Sequence, residues 1–129
     1  MIVDYQNGVR GMLDLSMFAE GSKNEQEISV VGNLAKVEAL ITESKVRIGL
    51  RSKGASGVNE YVVEQPKGVV AGFHAGASYL EHLAMQQAIR CGSSAEVSLQ
   101  DGLNSVAVGQ AAHLSIAENR VVDIAELFN

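Results

Sequence analysis

The sequence predicts an α+β domain, an open and mainly antiparallel sheet with two C-terminal helices packed on one face. Three observations point there. Apolar residues alternate with period two through the first two-thirds of the chain, which is the signature of a strand. The links between these runs are only a few residues long, whereas a parallel crossover needs a dozen or more. The last third switches to helical spacing, and strands segregated from helices in this way make an α+β fold.

The first strand is expected over residues 11–19, with Leu13, Leu15, Met17 and Ala19 on one side and Met12, Asp14, Ser16 and Phe18 on the other. Ile28 and Val30 point together over residues 27–31. Val37, Ala39 and Ile41 do so over 36–42, and Val46, Ile48 and Leu50 over 45–50. Residues 58–64 make a fifth, less regular candidate. Gly21-Ser22-Lys23-Asn24, Gly32-Asn33 and Glu43-Ser44 break the runs and favour antiparallel neighbours. Residues 52–57 form a small polar loop, and Pro66-Lys67-Gly68 ends the strand region.

Ser78-x-x-Glu81 has the form of a capping box, so a helix is expected over about residues 79–90, with Leu80, Leu83, Ala84 and Ala88 on one stripe. Gly92 suits the left-handed position that ends it. Ser98-x-x-Asp101 opens a second helix over about 99–118, where Leu103, Val106, Ala107, Gln110, Ala111 and Leu114 recur at helical spacing. Residues 121–124 are read as a short terminal strand. The sheet face away from the helices would carry Met12, Ser16, Phe18, Val31, Leu40 and Thr42. A partly apolar open face suits burial against another subunit, so a homo-oligomer through that face is expected.

A chain of 129 residues with 47% apolar and 19% charged side chains can pack a core as one domain spanning 1–129. With almost no aromatics and no Trp, that core must come from aliphatic residues. The net charge of −5 and the lack of a basic cluster argue against nucleic acid and against anionic membranes. No apolar run approaches the roughly 20 residues that span a bilayer. No secretory signal follows Met1, and the one cysteine fits a reducing compartment, so a cytoplasmic location is expected.

Candidate chemistry is sparse. Gly54-Ala55-Ser56-Gly57 and Gly72-Phe73-His74-Ala75-Gly76 are glycine-rich, yet neither is a G-x-G-x-x-G turn between a strand and a helix, so no cofactor site is expected in this chain. His74, His82, His113 and Cys91 lack metal-ligand spacing, and no metal is expected. There is no G-x-S-x-G, and Cys91, at a helix end, reads as a packed, inert thiol. The segment His74, Tyr79, Glu81, His82 is the most unusual polar cluster. It either faces a ligand or reduces to a cap, a solvated helix histidine and a packed ring.

These stretches taken in order resemble a known family. They are Gly11 to Gly21, Glu27 to Gly32, His74 to His82 continuing through Ala88-Ile89-Arg90, Val97 to Leu103, and Val106 to Ile116. They are similar to the C-terminal domain of the glucose–fructose oxidoreductase, inositol dehydrogenase and rhizopine-catabolism dehydrogenase (Gfo/Idh/MocA) family. The resemblance implies a substrate-binding and oligomerisation domain of an NAD- or NADP-dependent sugar or cyclitol dehydrogenase. It places the segment from His74 to Tyr79 near the substrate pocket, making His74 and Tyr79 the substrate-binding candidates.

The family's proton-transfer groups are a Lys of Glu-Lys-Pro and a His of Asp-x-x-x-His. Neither motif occurs in this chain, nor does a Rossmann fingerprint. No catalytic residue is therefore assigned, and no activity is expected from this chain by itself. Two other readings stay open. One is a stand-alone binding or assembly protein that keeps the fold without the cofactor domain. The other is a small enzyme with a new site around His74, Tyr79 and His82.

Overall fold

The computed structural model describes residues 1–69 and 73–128. The chain is an α+β domain with an open antiparallel sheet and C-terminal helices. It divides into two compact units. One comprises Met1–Leu15 with Ala84–Asn129, and the other is Ser16–Leu83.

The second unit holds a four-stranded sheet. Its strands are β3 (Gln26–Val31), β4 (Ala35–Ile41), β5 (Lys45–Leu50) and β6 (Val58–Val62), in sequence order and antiparallel throughout. Short polar links produce this order, because each strand can only turn back on its neighbour. Pairs such as Val30↔Val37, Val37↔Ile48 and Glu38↔Arg47 fix the register. Since side chains alternate, one face carries Ile28, Val30, Val37, Ala39, Ile41, Val46, Ile48 and Tyr61. The opposite face carries Lys36, Glu38, Lys45, Arg47 and Glu60, joined as Lys36–Glu38 (2.8 Å), Lys45–Glu60 (2.7 Å) and Arg47–Glu60 (2.9 Å).

This arrangement corrects the expected open face. Val31 and Leu40 lie on the side with the ion pairs, together with Val58 and Val62, so that side is partly apolar and also heavily charged. Thr42 falls in the turn after β4. Met12 belongs to a separate pair of strands, and Ser16 and Phe18 lie in no strand. The other face carries no charged residue, and on it Ile28 and Val30 remain 55% and 61% exposed.

A charged clamp holds the β4–β5 turn. Asn24, only 8% exposed, donates from Nδ2 to Glu27 and Glu43 (both 3.2 Å) and accepts at Oδ1 from the Glu43 backbone N–H (3.4 Å). Thr42 and Ser44, on either side of Glu43, have φ of 100° and 52°. A β-branched residue at positive φ is strained, and such strain persists only where the surroundings over-determine it. The buried Asn24 side chain supplies that restraint.

The first unit opens with β1 (Ile2–Asp4) paired antiparallel to β2 (Arg10–Met12). β1 was not expected from the sequence, and the strand expected over residues 11–19 ends at Met12. Past it, Ser16 Oγ accepts from the Phe18 N–H at 3.2 Å, a local side-chain bond that competes with strand pairing. Phe18 is 90% exposed.

Of the two helices, α1 runs over Ala77–Cys91 and α2 over Leu99–Glu118. The boundary between the units falls within α1. The helix starts before Ser78, so the expected capping box there does not form. The Ser78 carbonyl instead accepts from His82 Nδ1 at 2.7 Å. At its other end Gly92 has φ 64°, with Ser93 N–H bonded to Ala88 O and Gly92 N–H to Ile89 O. That is the paired pattern of a Schellman cap.

α2 begins with a complete capping box. Asp101 N–H donates to Ser98 Oγ (3.2 Å) and Ser98 N–H to Asp101 Oδ2 (2.9 Å). The expected strand over 121–124 is replaced by a 3₁₀ turn over Ile124–Phe128. Arg120 bridges Glu118 and Glu126 beside it.

The core is small. Leu40, Ala88, Ala107 and Ala111 are the buried apolar residues among those described. Of the expected helix stripes, Ala88, Ala107 and Ala111 are buried and Ala84 is half-buried, while Leu80, Leu83, Leu103 and Val106 stay exposed. Cys91, expected to be packed, is exposed. An apolar residue left uncovered on both helices and on a sheet face is surface suited to a neighbour.

Candidate functional site

The segment singled out by sequence follows β6. A 3₁₀ turn over Phe73–Gly76 runs directly into α1. His74 and Ala75 both adopt left-handed backbone angles (φ 64°, ψ 31° and φ 51°, ψ 35°), and Gly76 follows at φ 86°. Two successive non-glycine residues in this region are strained. Gln65 Nε2 donates to the Ala75 carbonyl at 3.1 Å. His74 Nδ1 lies 3.0 Å from Glu25 Oε1. The turn is thus gripped from both sides by residues outside it. Gly72, at the start of the glycine-rich stretch, lies outside the described residues.

His74 is exposed at this turn, and Tyr79 stands exposed in the first turn of α1. The structure therefore brings both to one short stretch of surface, though no hydrogen bond joins them. His82 is anchored to its own helix through the Ser78 carbonyl, so its Nδ1 carries the proton, since a carbonyl only accepts. Glu81 makes no cap. Sequence reasoning missed Glu25 and Gln65, because neither belongs to a recognisable motif. They reach the turn only through the fold.

Carboxylates held below their usual range lie elsewhere, in structural pairs. Asn24, then Lys23, hold the Glu43 carboxyl below the usual range. Lys45 and Arg47 do the same for Glu60. These bonds favour the charged form by direct pairing, and they clamp the sheet. A shallow recess of about 600 Å³ is lined by Asn33, Leu34, Leu50, Arg51 and Ser52. It includes neither His74 nor Tyr79.

The Gly54 to Gly57 stretch does not fit a dinucleotide. Its pyrophosphate needs a glycine-rich turn between a strand and a helix N-terminus in a parallel unit. Gly54 to Gly57 instead sit in a 3₁₀ turn linking the antiparallel strands β5 and β6. Among the described residues, no group of three His, Cys, Asp or Glu is placed to hold a metal ion, and no helix is long and apolar enough to cross a membrane.

Comparison with known proteins agrees with the sheet-then-helix architecture. The family model described as "Oxidoreductase family, C-terminal alpha/beta domain" matches residues 1–124. No curated protein and no solved structure matches the chain. With that match covering nearly its whole length, the chain belongs to the Gfo/Idh/MocA oxidoreductase family as its C-terminal alpha/beta domain.

Proposed function

We propose that this chain is the substrate-binding and oligomerisation domain of an NAD- or NADP-dependent dehydrogenase acting on sugars or cyclitols in the cytoplasm. The family match over residues 1–124 carries this reading. His74 and Tyr79 contact the polyol. Neither is offered as the group that moves the hydride or its proton, and this chain alone does not turn over substrate. The assembly surface is the apolar face of the sheet, supported by the exposure of Ile28 and Val30. A face with that composition buries apolar area against a second copy, whereas the ion-paired face already satisfies itself.

Val30 and Val31 are neighbours on β3 and point to opposite faces, which makes a matched test. Light scattering should find an oligomer for the unaltered chain and a folded monomer for Val30→Glu, with Val31→Glu still assembled. A monomeric unaltered chain would sink the assembly reading. For the substrate role, His74→Ala and Tyr79→Phe should each weaken myo-inositol or glucose binding in calorimetry. Polyol binding unchanged by both would remove the pocket from this stretch.

A further inference from the structure

We infer that Glu25 is a positioning residue for His74, fixing which ring nitrogen carries the proton and so what His74 offers a ligand. This rests on the reading of His74 as a polyol contact. The two residues are far apart in sequence, one in the turn before β3 and the other in the 3₁₀ turn after β6, yet Glu25 Oε1 and His74 Nδ1 are 3.0 Å apart. A carboxylate offers no proton, so one placed at ion-pair distance from Nδ1 favours the neutral tautomer that carries its proton on that nitrogen. That leaves Nε2 as a lone-pair acceptor, the partner a sugar or cyclitol hydroxyl needs for its O–H. Without Glu25 the ring is free to take either tautomer, and the other form turns Nε2 into a donor.

The backbone supports a placed ring rather than a chance surface pair. His74 and Ala75 hold left-handed angles that L residues seldom adopt. Gln65 fixes the Ala75 carbonyl from the β6 side, while Glu25 lies at ion-pair distance from the His74 ring. Nearby charges are otherwise engaged. Lys23 pairs with Glu43, and Glu27 accepts from Asn24. Among the described residues, Glu25 is the carboxylate that pairs with His74.

Ring nitrogen chemical shifts of His74, measured by NMR on the full chain at a pH where the ring is neutral, test this. The expected result is the Nδ1–H form in the unaltered chain. Glu25→Ala should move the ring toward the Nε2–H form that free histidine prefers. Glu25→Gln, whose amide oxygen still accepts, should keep the Nδ1–H form. Myo-inositol binding followed in the same samples should weaken about fivefold in Glu25→Ala, the scale of one oriented hydrogen bond.

An Nε2–H ring in the unaltered chain overturns the inference without any variant, as does a tautomer unchanged by Glu25→Ala. Should the tautomer respond while inositol binds neither protein, the positioning role stands and the polyol reading of His74 fails instead.

Discussion

α2 carries its boundary instructions within a few residues, while the turn leading into α1 is held by side chains from far along the chain. Ser98 and Asp101 close the start of α2 on each other, and Asn119 ends it in a left-handed cap with its N–H on Ser115 O. The His74–Gly76 turn has no such local solution, and relies on Glu25 and Gln65. The β4–β5 turn belongs to the second kind, since Asn24 restrains it across nineteen positions. Locally determined ends give an element that is stable to distant change. Remotely determined turns place particular side chains but expose the site to any loss elsewhere in the sheet.

Substitutions can break this contrast, and the largest effect is expected at Asn24. Asn24→Ala removes three hydrogen bonds from a part-buried site, among them the one that accepts from the Glu43 backbone N–H. It should cost about 2–3 kcal/mol in urea unfolding and loosen residues 42–44. Next comes Gly92→Ala. The position has φ 64° and open space around an added Cβ, so the cost is backbone strain alone, about 1–2 kcal/mol. Amide exchange should show it confined to the end of α1.

Ser98→Ala should cost about 1 kcal/mol, seen as faster exchange in the first turn of α2 with the sheet unchanged. If the sheet loosens equally, the local character of α2 is refuted. The smallest effect is pH-driven. Arg120, and then the Asp123 N–H, lower the Glu126 carboxyl from 4.5 to about 2. A depressed carboxylate stabilises fully above its unfolded value and loses that contribution as pH falls from 4.5 through about 2. Backbone shifts of residues 120–128 should therefore move in that window. The pair is exposed, so global stability should barely respond.

The same division decides what could be read in advance. β3, β4, β5 and β6 were found close to their true bounds because period-two patterning and short polar links are properties of neighbouring residues. α2 and the Gly92 cap were legible for the same reason. The strand over 11–19 failed because its alternation was real while its pairing partner was not. β1 covers only Met12 and its two predecessors, and Ser16 turns the chain away. The Ser78 box failed because a strained 3₁₀ turn started α1 upstream of it. His74 stood out in the sequence as a histidine among small residues, yet its carboxylate partner carried no sequence signal, since only the packed sheet brings Glu25 to it.

The ion-paired sheet face has a consequence for how chains meet. Glu27, Glu38 and Glu60 are matched there by Lys36, Lys45 and Arg47, so this face is electrically neutral within a chain of net charge −5. The surplus negative charge lies off the sheet. Two copies approaching through the sheet repel by distant charges that salt screens within roughly 10 Å at 0.1 M, while the contact between apolar faces is indifferent to salt. Raising ionic strength should therefore favour association, the reverse of what an electrostatically steered pair would do.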